Sequence, residues 1–164
     1  MRILTGGAAM KRIPEFRCVA RYCVAEEQAL VTRADLARDF WARVITRAPW
    51  YDPEKEVAAI LCLNRKNRVT SWNLISIGSA SATIVNPREV LRAALIGGAC
   101  AFIVMHSHPS GDPAPSAQDV AVTSGIREAA KAVEITFTDH VIFGDIARDP
   151  LRLGYYSFRE AGLV

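Results

Sequence analysis

The sequence predicts one α/β domain. Short apolar runs bounded by polar turns recur at 56–63, 68–77, 99–105 and 134–143, the length and composition of strands. Helical periodicities with start and stop signals separate them, at 33–47, from Asn86 to Gly97-Gly98, and from Ser116 to about 133. A chain of 164 residues, 51% hydrophobic and 23% charged, is long enough to close one such core, and it contains neither an internal repeat nor a linker. Residues 1–28 are expected to form a partly flexible N-terminal segment and 29–164 the domain.

Residues 17–24 have the composition of a first strand, with imperfect alternation. Thr32 and Asp35 are spaced as a capping box. After them Leu36, Phe40 and Val44, with Ala37 and Trp41 alongside, mark an amphipathic helix that Pro49 to Pro53 terminates. A buried strand follows from Glu56 to Leu63, opening on a carboxylate. Asn64 to Asn67 makes a polar turn and Arg68 to Ile77 returns as the hairpin partner; Gly78 to Ala82 reads as loop. Asn86, Pro87 and Glu89 occupy the N-cap, N1 and N3 positions of a helix start, and Val90, Leu91, Ala94 and Leu95 give that helix its apolar stripe. The helix beginning at Ser116 places Val122, Ile126, Ala129 and Val133 on one face. Residues 134–138 and 140–143 read as one strand or two, and the aromatic tail around Tyr155, Tyr156 and Phe158 packs back on the sheet.

The formal net charge of +3 comes from dispersed Lys and Arg, so a nucleic-acid partner is compatible but only weakly supported. No apolar run is long enough to cross a membrane and the N-terminus lacks a signal-peptide core, so a cytoplasmic protein is expected. Met10 is an alternative start that would leave residues 1–9 as an extension. Cys18, Cys23, Cys62 and Cys100 lie mostly in apolar stretches without close pairing and read as buried free thiols rather than disulfides. Trp41, Trp50 and Trp72 read as core or groove aromatics, because no basic residues interleave them as in a base-stacking platform.

One stretch carries chemistry. The strand at 99–105 runs into His106-Ser107-His108, and strand residues two apart face the same side, so both imidazoles can reach one ion. A Pro/Gly/Ser loop then leads to Ser116 and Asp119 at a helix start, where Asp119 is a candidate third ligand. The same S-x-x-D spacing also reads as a plain capping box. Two His and one Asp would leave a fourth zinc position for water, with a carboxylate as base and a hydroxyl facing the oxyanion. Glu56 and Glu54 are the carboxylates in view, and spacing alone places neither opposite the histidines. His140 is a further imidazole, read as structural rather than as a fourth ligand. A zinc nucleobase deaminase would need H-x-E and P-C-x-x-C, and both are missing.

His106-Ser107-His108, seven residues, Ser116, two residues and Asp119 match the H-[ST]-H-x7-S-x2-D signature of JAMM (JAB/MPN) metalloproteases. Glu56 with 63–67, Pro87-Arg88-Glu89, 108–111 with Pro115-Ser116, Asp139-His140-Val141-Ile142 and Ser157-Phe158 resemble, in order, the bacterial RadC-like branch of that family over residues 50–164. The resemblance implies a JAB/MPN (cytidine-deaminase-like) architecture, a mixed β-sheet flanked by helices. It implies zinc (Zn2+) on His106, His108 and Asp119, with Glu56 as general acid/base (Glu54 the fallback) and Ser116 steadying the tetrahedral intermediate. The implied activity is hydrolysis of amide or isopeptide bonds in a polypeptide substrate, with Glu56 activating a zinc-bound water. The alternative is a non-catalytic or DNA-associated module in DNA repair or metabolism. Two departures stand out. Ser107 replaces the Asn usual between the histidines of the RadC-like branch, and its side chain is expected to point away from the metal. The helix-hairpin-helix domain of larger relatives is expected to be missing.

Overall fold

A computed structural model describes residues 29–78 and 85–164. The expected strand at 17–24, most of the loop at 78–82, Cys18 and Cys23 lie outside the described residues. Five strands form one mixed sheet in the order β2-β1-β3-β4-β5, where β1 is Val57–Leu63, β2 Val69–Ile77, β3 Ala101–Ser107, β4 Thr136–Phe143 and β5 Tyr155–Ser157. β3 and β4 are parallel and α3 (Ala117–Ala132) makes the crossover between them; the other neighbours are antiparallel.

Burial follows strand position. β1 and β3 lie inside the sheet with both faces covered, and all seven residues of each are buried, which is why they read as continuous apolar runs. Among the described strands β2 pairs with β1 alone, and its residues are half-buried or exposed throughout. The hairpin turn is closed by Asn64, whose Oδ1 accepts from Lys66 N at 2.8 Å and Arg68 N at 3.2 Å.

Side-chain parity sorts the strands into two cores. Ala58, Ile60 and Cys62 of β1 with Phe102 and Val104 of β3 pack under α2 (Pro87–Ile96) and α3. Val57, Ala59, Leu61, Ile103, Met105, Val141 and Phe143 pack on the opposite face with α1 (Ala34–Phe40) and the following π-helical turn, Trp41–Ile45. The first core matters for function, because His106 has the parity of Phe102 and Val104 and faces α3.

Several expectations change. The helix expected at 33–47 is α-helical only to Phe40 and then widens, Thr46 N bonding Trp41 O at 3.1 Å, where the Trp41 ring packs 4.8 Å from Phe143. Thr32 and Asp35 make no capping box: Arg33 is the N-cap residue, without a side-chain cap bond, and its guanidinium holds the Asp35 carboxylate instead. Asn86 does cap α2, accepting from Arg88 N at 2.9 Å, but of the expected stripe Leu95 is 56% exposed. The buried residues of α3 are Thr123, Ile126 and Ala130: of the expected face Ile126 is buried and Val122 packs partly against the same core, whereas Val133 is exposed and Thr123 and Ala130 lie inside instead. Residues 136–143 form one strand, and the tail returns as β5 against it. Cys62 is buried as expected, whereas Cys100, at the turn entering β3, is exposed.

Candidate metal centre

Three elements converge at the C-terminal end of β3. His106 lies within the strand and is 2% exposed, His108 is one residue past its end, and Asp119 sits in the first turn of α3. His106 Nε2 is 3.0 Å from His108 Nε2 and 3.3 Å from Asp119 Oδ1, and His108 Nε2 is 3.6 Å from Asp119 Oδ2. Among the described residues these three side chains form a group able to hold a metal ion. The donor set suits zinc, and so do the spacings: metal–ligand bonds of about 2.0–2.1 Å at tetrahedral angles set neighbouring ligand atoms about 3.3 Å apart.

Each group is held from behind. His108 Nδ1 lies 2.8 Å from the Asp112 carbonyl, and the loop carrying Asp112 is clamped to the end of β4. His108 N donates to Phe143 O at 2.9 Å, Asp145 N to Gly111 O at 2.7 Å, and Arg148 Nη1 to Ser110 O at 2.6 Å. This clamp requires close approach at Gly144, where a Cβ would sit 2.3 Å from Gly111 O. Asp119 is fixed by a full capping box. Ser116 Oγ accepts from Asp119 N at 3.1 Å and donates to Asp119 Oδ2 at 2.5 Å, while Ser116 N donates to the same oxygen at 2.8 Å. The cap and the metal readings of S-x-x-D are therefore compatible, since the cap aims the carboxylate.

Electrostatics follow burial and pairing. Burial lowers the His106 pKa to about 4 against the opposing pull of Asp119, and it holds His140 well below its ordinary value. Half-burial works against charge on His108, yet Asp119, the Asp112 carbonyl and Glu56 together raise its pKa. Burial would likewise raise Asp119, but His108, Ser116 and His106 outweigh it and hold the carboxyl well below the usual range.

Glu56 reaches the site through strand register. Ala58 pairs with His106 at the end of the antiparallel β1–β3 ladder, and continuing that ladder by two residues brings Glu56 to the level of His108, whose charged form it favours. Glu54 does not share that strand face: it lies in the preceding turn and is exposed. Ser107 points to the opposite side, as expected, but it is not idle. Its Oγ accepts from Val57 N at 3.3 Å and so ties the residue after Glu56 to the histidine strand.

His140 is 1% exposed, with Nε2 2.8 Å from His106 Nδ1 and Nδ1 2.6 Å from Thr123 Oγ1. One ring nitrogen is taken up by the Nδ1 edge of His106 and the other by Thr123, so neither is among the clustered donor atoms. Thr123 and the Asp112 carbonyl are the contacts that sequence reading missed. Thr123 had one usable signal, a hydroxyl four residues after Asp119 on the same helix face. Trp41 is a core residue, and Trp50 and Trp72 form a half-buried pair 6.1 Å apart.

A mixed sheet presenting one histidine within a strand and one just past its end to a helix-start aspartate has the construction of a JAB/MPN-type domain. The family model described as "RadC-like JAB domain" matches residues 35–163, and the chain belongs to that family. Similar proteins include a UPF0758 protein of Pelodictyon phaeoclathratiforme, 38% identical over 128 residues that make up 78% of this chain and 54% of that protein. A UPF0758 protein of Thermotoga maritima is 37% identical over 66% of this chain and 46% of its own length. One from Methanosarcina barkeri is 43% identical over 69% and 46% respectively. The chain thus spans about half the length of the curated relatives it matches. No helix among the described residues is long and apolar enough to cross a membrane.

Proposed function

We propose that this protein is a zinc-dependent hydrolase of amide bonds, acting in the cytoplasm on a peptide or an isopeptide-linked polypeptide. The observation that carries the reading is the cluster of donor atoms, His106 Nε2 lying 3.0 Å from His108 Nε2 and 3.3 Å from Asp119 Oδ1 and His108 Nε2 3.6 Å from Asp119 Oδ2, with the Glu56 carboxylate near enough to favour charge on His108. Membership in a JAB-type family supports the same reading.

His106, His108 and Asp119 would hold the metal. Zinc bound there would polarise the scissile carbonyl and make a water molecule more acidic. Glu56 would take a proton from the attacking water as the new C–O bond forms, and return it to the leaving nitrogen as the C–N bond breaks. A carboxylate at the strand end, half-buried and outside the ligand cluster, suits that two-way transfer. The Ser116 hydroxyl, which donates to Asp119 in this structure, would turn toward the developing oxyanion; one such donor is worth on the order of 3 kcal/mol.

The test is cleavage of a panel of peptides and ubiquitin-like conjugates by the zinc-loaded full chain. The proposal expects hydrolysis of at least one amide-linked class, abolished by chelation and restored by zinc. A protein that carries stoichiometric zinc and leaves the whole panel intact contradicts it.

A further inference from the structure

Behind the metal-facing edge of His106 runs a line of hydrogen bonds. His106 Nδ1 meets His140 Nε2 at 2.8 Å, His140 Nδ1 meets Thr123 Oγ1 at 2.6 Å, and Thr123 Oγ1 donates to the backbone carbonyl of Asp119 at 2.6 Å. His106, His140 and Thr123 are each at most 2% exposed. Two of them interrupt surfaces that are otherwise apolar: Thr123 lies on the inner stripe of α3 with Ile126 and Ala130, and His140 pairs with Val104 in the sheet. Buried polar groups in such places are costly unless each is satisfied, and these satisfy one another.

Proton positions follow from the far end of the line. A carbonyl oxygen only accepts, so the single hydroxyl proton of Thr123 goes to Asp119 O. Thr123 Oγ1 then offers a lone pair to His140, whose Nδ1 must carry the hydrogen. A neutral imidazole has one ring proton, which leaves His140 Nε2 bare to accept from His106 Nδ1–H. His106 Nε2 is therefore left as an open lone pair at the point where it faces Asp119 and His108.

We propose that His140 and Thr123 are positioning residues that lock His106 in its Nδ1–H tautomer, with Nε2 presented to the metal. The line also closes on itself. Asp119 contributes its carboxylate in front of His106 and its carbonyl at the back of the relay, so the start of α3 and the histidine strand are aimed as one unit. Phe158 supports the arrangement, its ring stacked on His140 at 5.0 Å and 10° while its N–H donates to His140 O at 3.0 Å. The inference rests on the proposed metal centre and adds to it the groups that orient a ligand.

The test uses the full chain with 15N-labelled histidine. Long-range 1H–15N correlation spectra of the zinc-loaded protein should show His106 and His140 both protonated at Nδ1; a His140 protonated at Nε2 overturns the relay without any substitution. Zinc affinity by chelator competition then compares Thr123→Val, which keeps shape and removes the hydroxyl, with Thr123→Ser, which restores it. Thr123→Val should bind zinc about 10-fold or more weakly, with the His140 tautomer no longer fixed, and Thr123→Ser should recover most of the loss. Parent-like zinc affinity in Thr123→Val overturns the relay while leaving the metal centre standing. An unsubstituted protein that takes up no zinc overturns the metal centre, and the relay's purpose falls with it.

Discussion

Replacing Gly144 with alanine tests whether the clamp behind His108 matters to the metal site. The new Cβ would lie 2.3 Å from Gly111 O and 2.8 Å from Pro113 N and Cδ, and two of those three atoms are backbone, so the loop must move. Gly111 O is also the acceptor for Asp145 N, and the next residue supplies the carbonyl that meets His108 Nδ1. Overpacking of this kind costs about 1–3 kcal/mol, and losing the Asp145 bond about 1 more. Removing a glycine from the unfolded chain offsets this by about 0.4–1 kcal/mol. The net expectation is a loss of about 2 kcal/mol, or roughly 4–8 °C in Tm for a chain of this size. Zinc affinity should fall about 10-fold with the loss of the Asp112 contact. Gly98→Ala is the control: at φ +60 with open space around its Cβ it should cost about 1–2 kcal/mol, at the opposite end of β3, and leave zinc binding alone. Thermal denaturation of the metal-free variants and chelator competition measure both effects. Gly144→Ala with parent-like zinc affinity, or Gly98→Ala with an equal loss, would refute the reasoning.

Other expectations concern the base, its strand and the buried imidazoles. Glu56→Gln should retain zinc while hydrolysis falls by about 10²–10⁴; loss of zinc along with activity would show that Glu56 holds the metal instead. Ser107→Ala strands the Val57 N–H, so stability should fall by about 1 kcal/mol and kcat/KM with it at unchanged zinc affinity, read by urea denaturation and steady-state kinetics. In metal-free protein the His106 pKa falls from 6.5 to about 4 and that of His140 also falls, both by burial. The unfolded chain takes up protons that the fold refuses, so their contribution is complete above about pH 6.5 and is lost as pH drops toward about 4. His106 alone accounts for about 3 kcal/mol of this. His108, raised, acts with the opposite sign, its contribution fading as pH rises through its raised value, and Asp119 gives way only below its ordinary carboxylate range. Urea denaturation that shows the metal-free protein gaining stability between about pH 6.5 and 4 would contradict this balance.

Local pattern made much of this fold legible before any coordinates. The apolar runs of β1 and β3, the asparagine-closed hairpin and the Asn86 cap are short-range consequences of residue type. So is the convergence of His106, His108 and Asp119, since a strand parity and a helix start suffice to aim them. What stayed hidden depends on long-range geometry. Glu56 is preferred over Glu54 from residue order only by resemblance; the position of Glu56 just before β1, beside the histidine strand, and of Glu54 in the exposed turn before it, depends on long-range strand pairing. On α3 periodicity finds Ile126 but not Thr123, which has the look of a surface residue until His140 is known to lie opposite it. Asp35 was misread as a cap because the neighbouring Arg33 captures its carboxylate, a competition that spacing does not show. Cys100 sits in an apolar neighbourhood of sequence but at the turn entering β3, where its side chain is exposed.

The most direct test of the metal centre is the zinc content and X-ray absorption spectrum of the purified full chain, alongside His106→Ala and Asp119→Ala. The account predicts one zinc per chain in a shell of nitrogen and oxygen donors with imidazole scattering, lost in both variants while their circular dichroism stays that of the parent. Retention of zinc by both variants, or a sulfur donor in the shell, would contradict it.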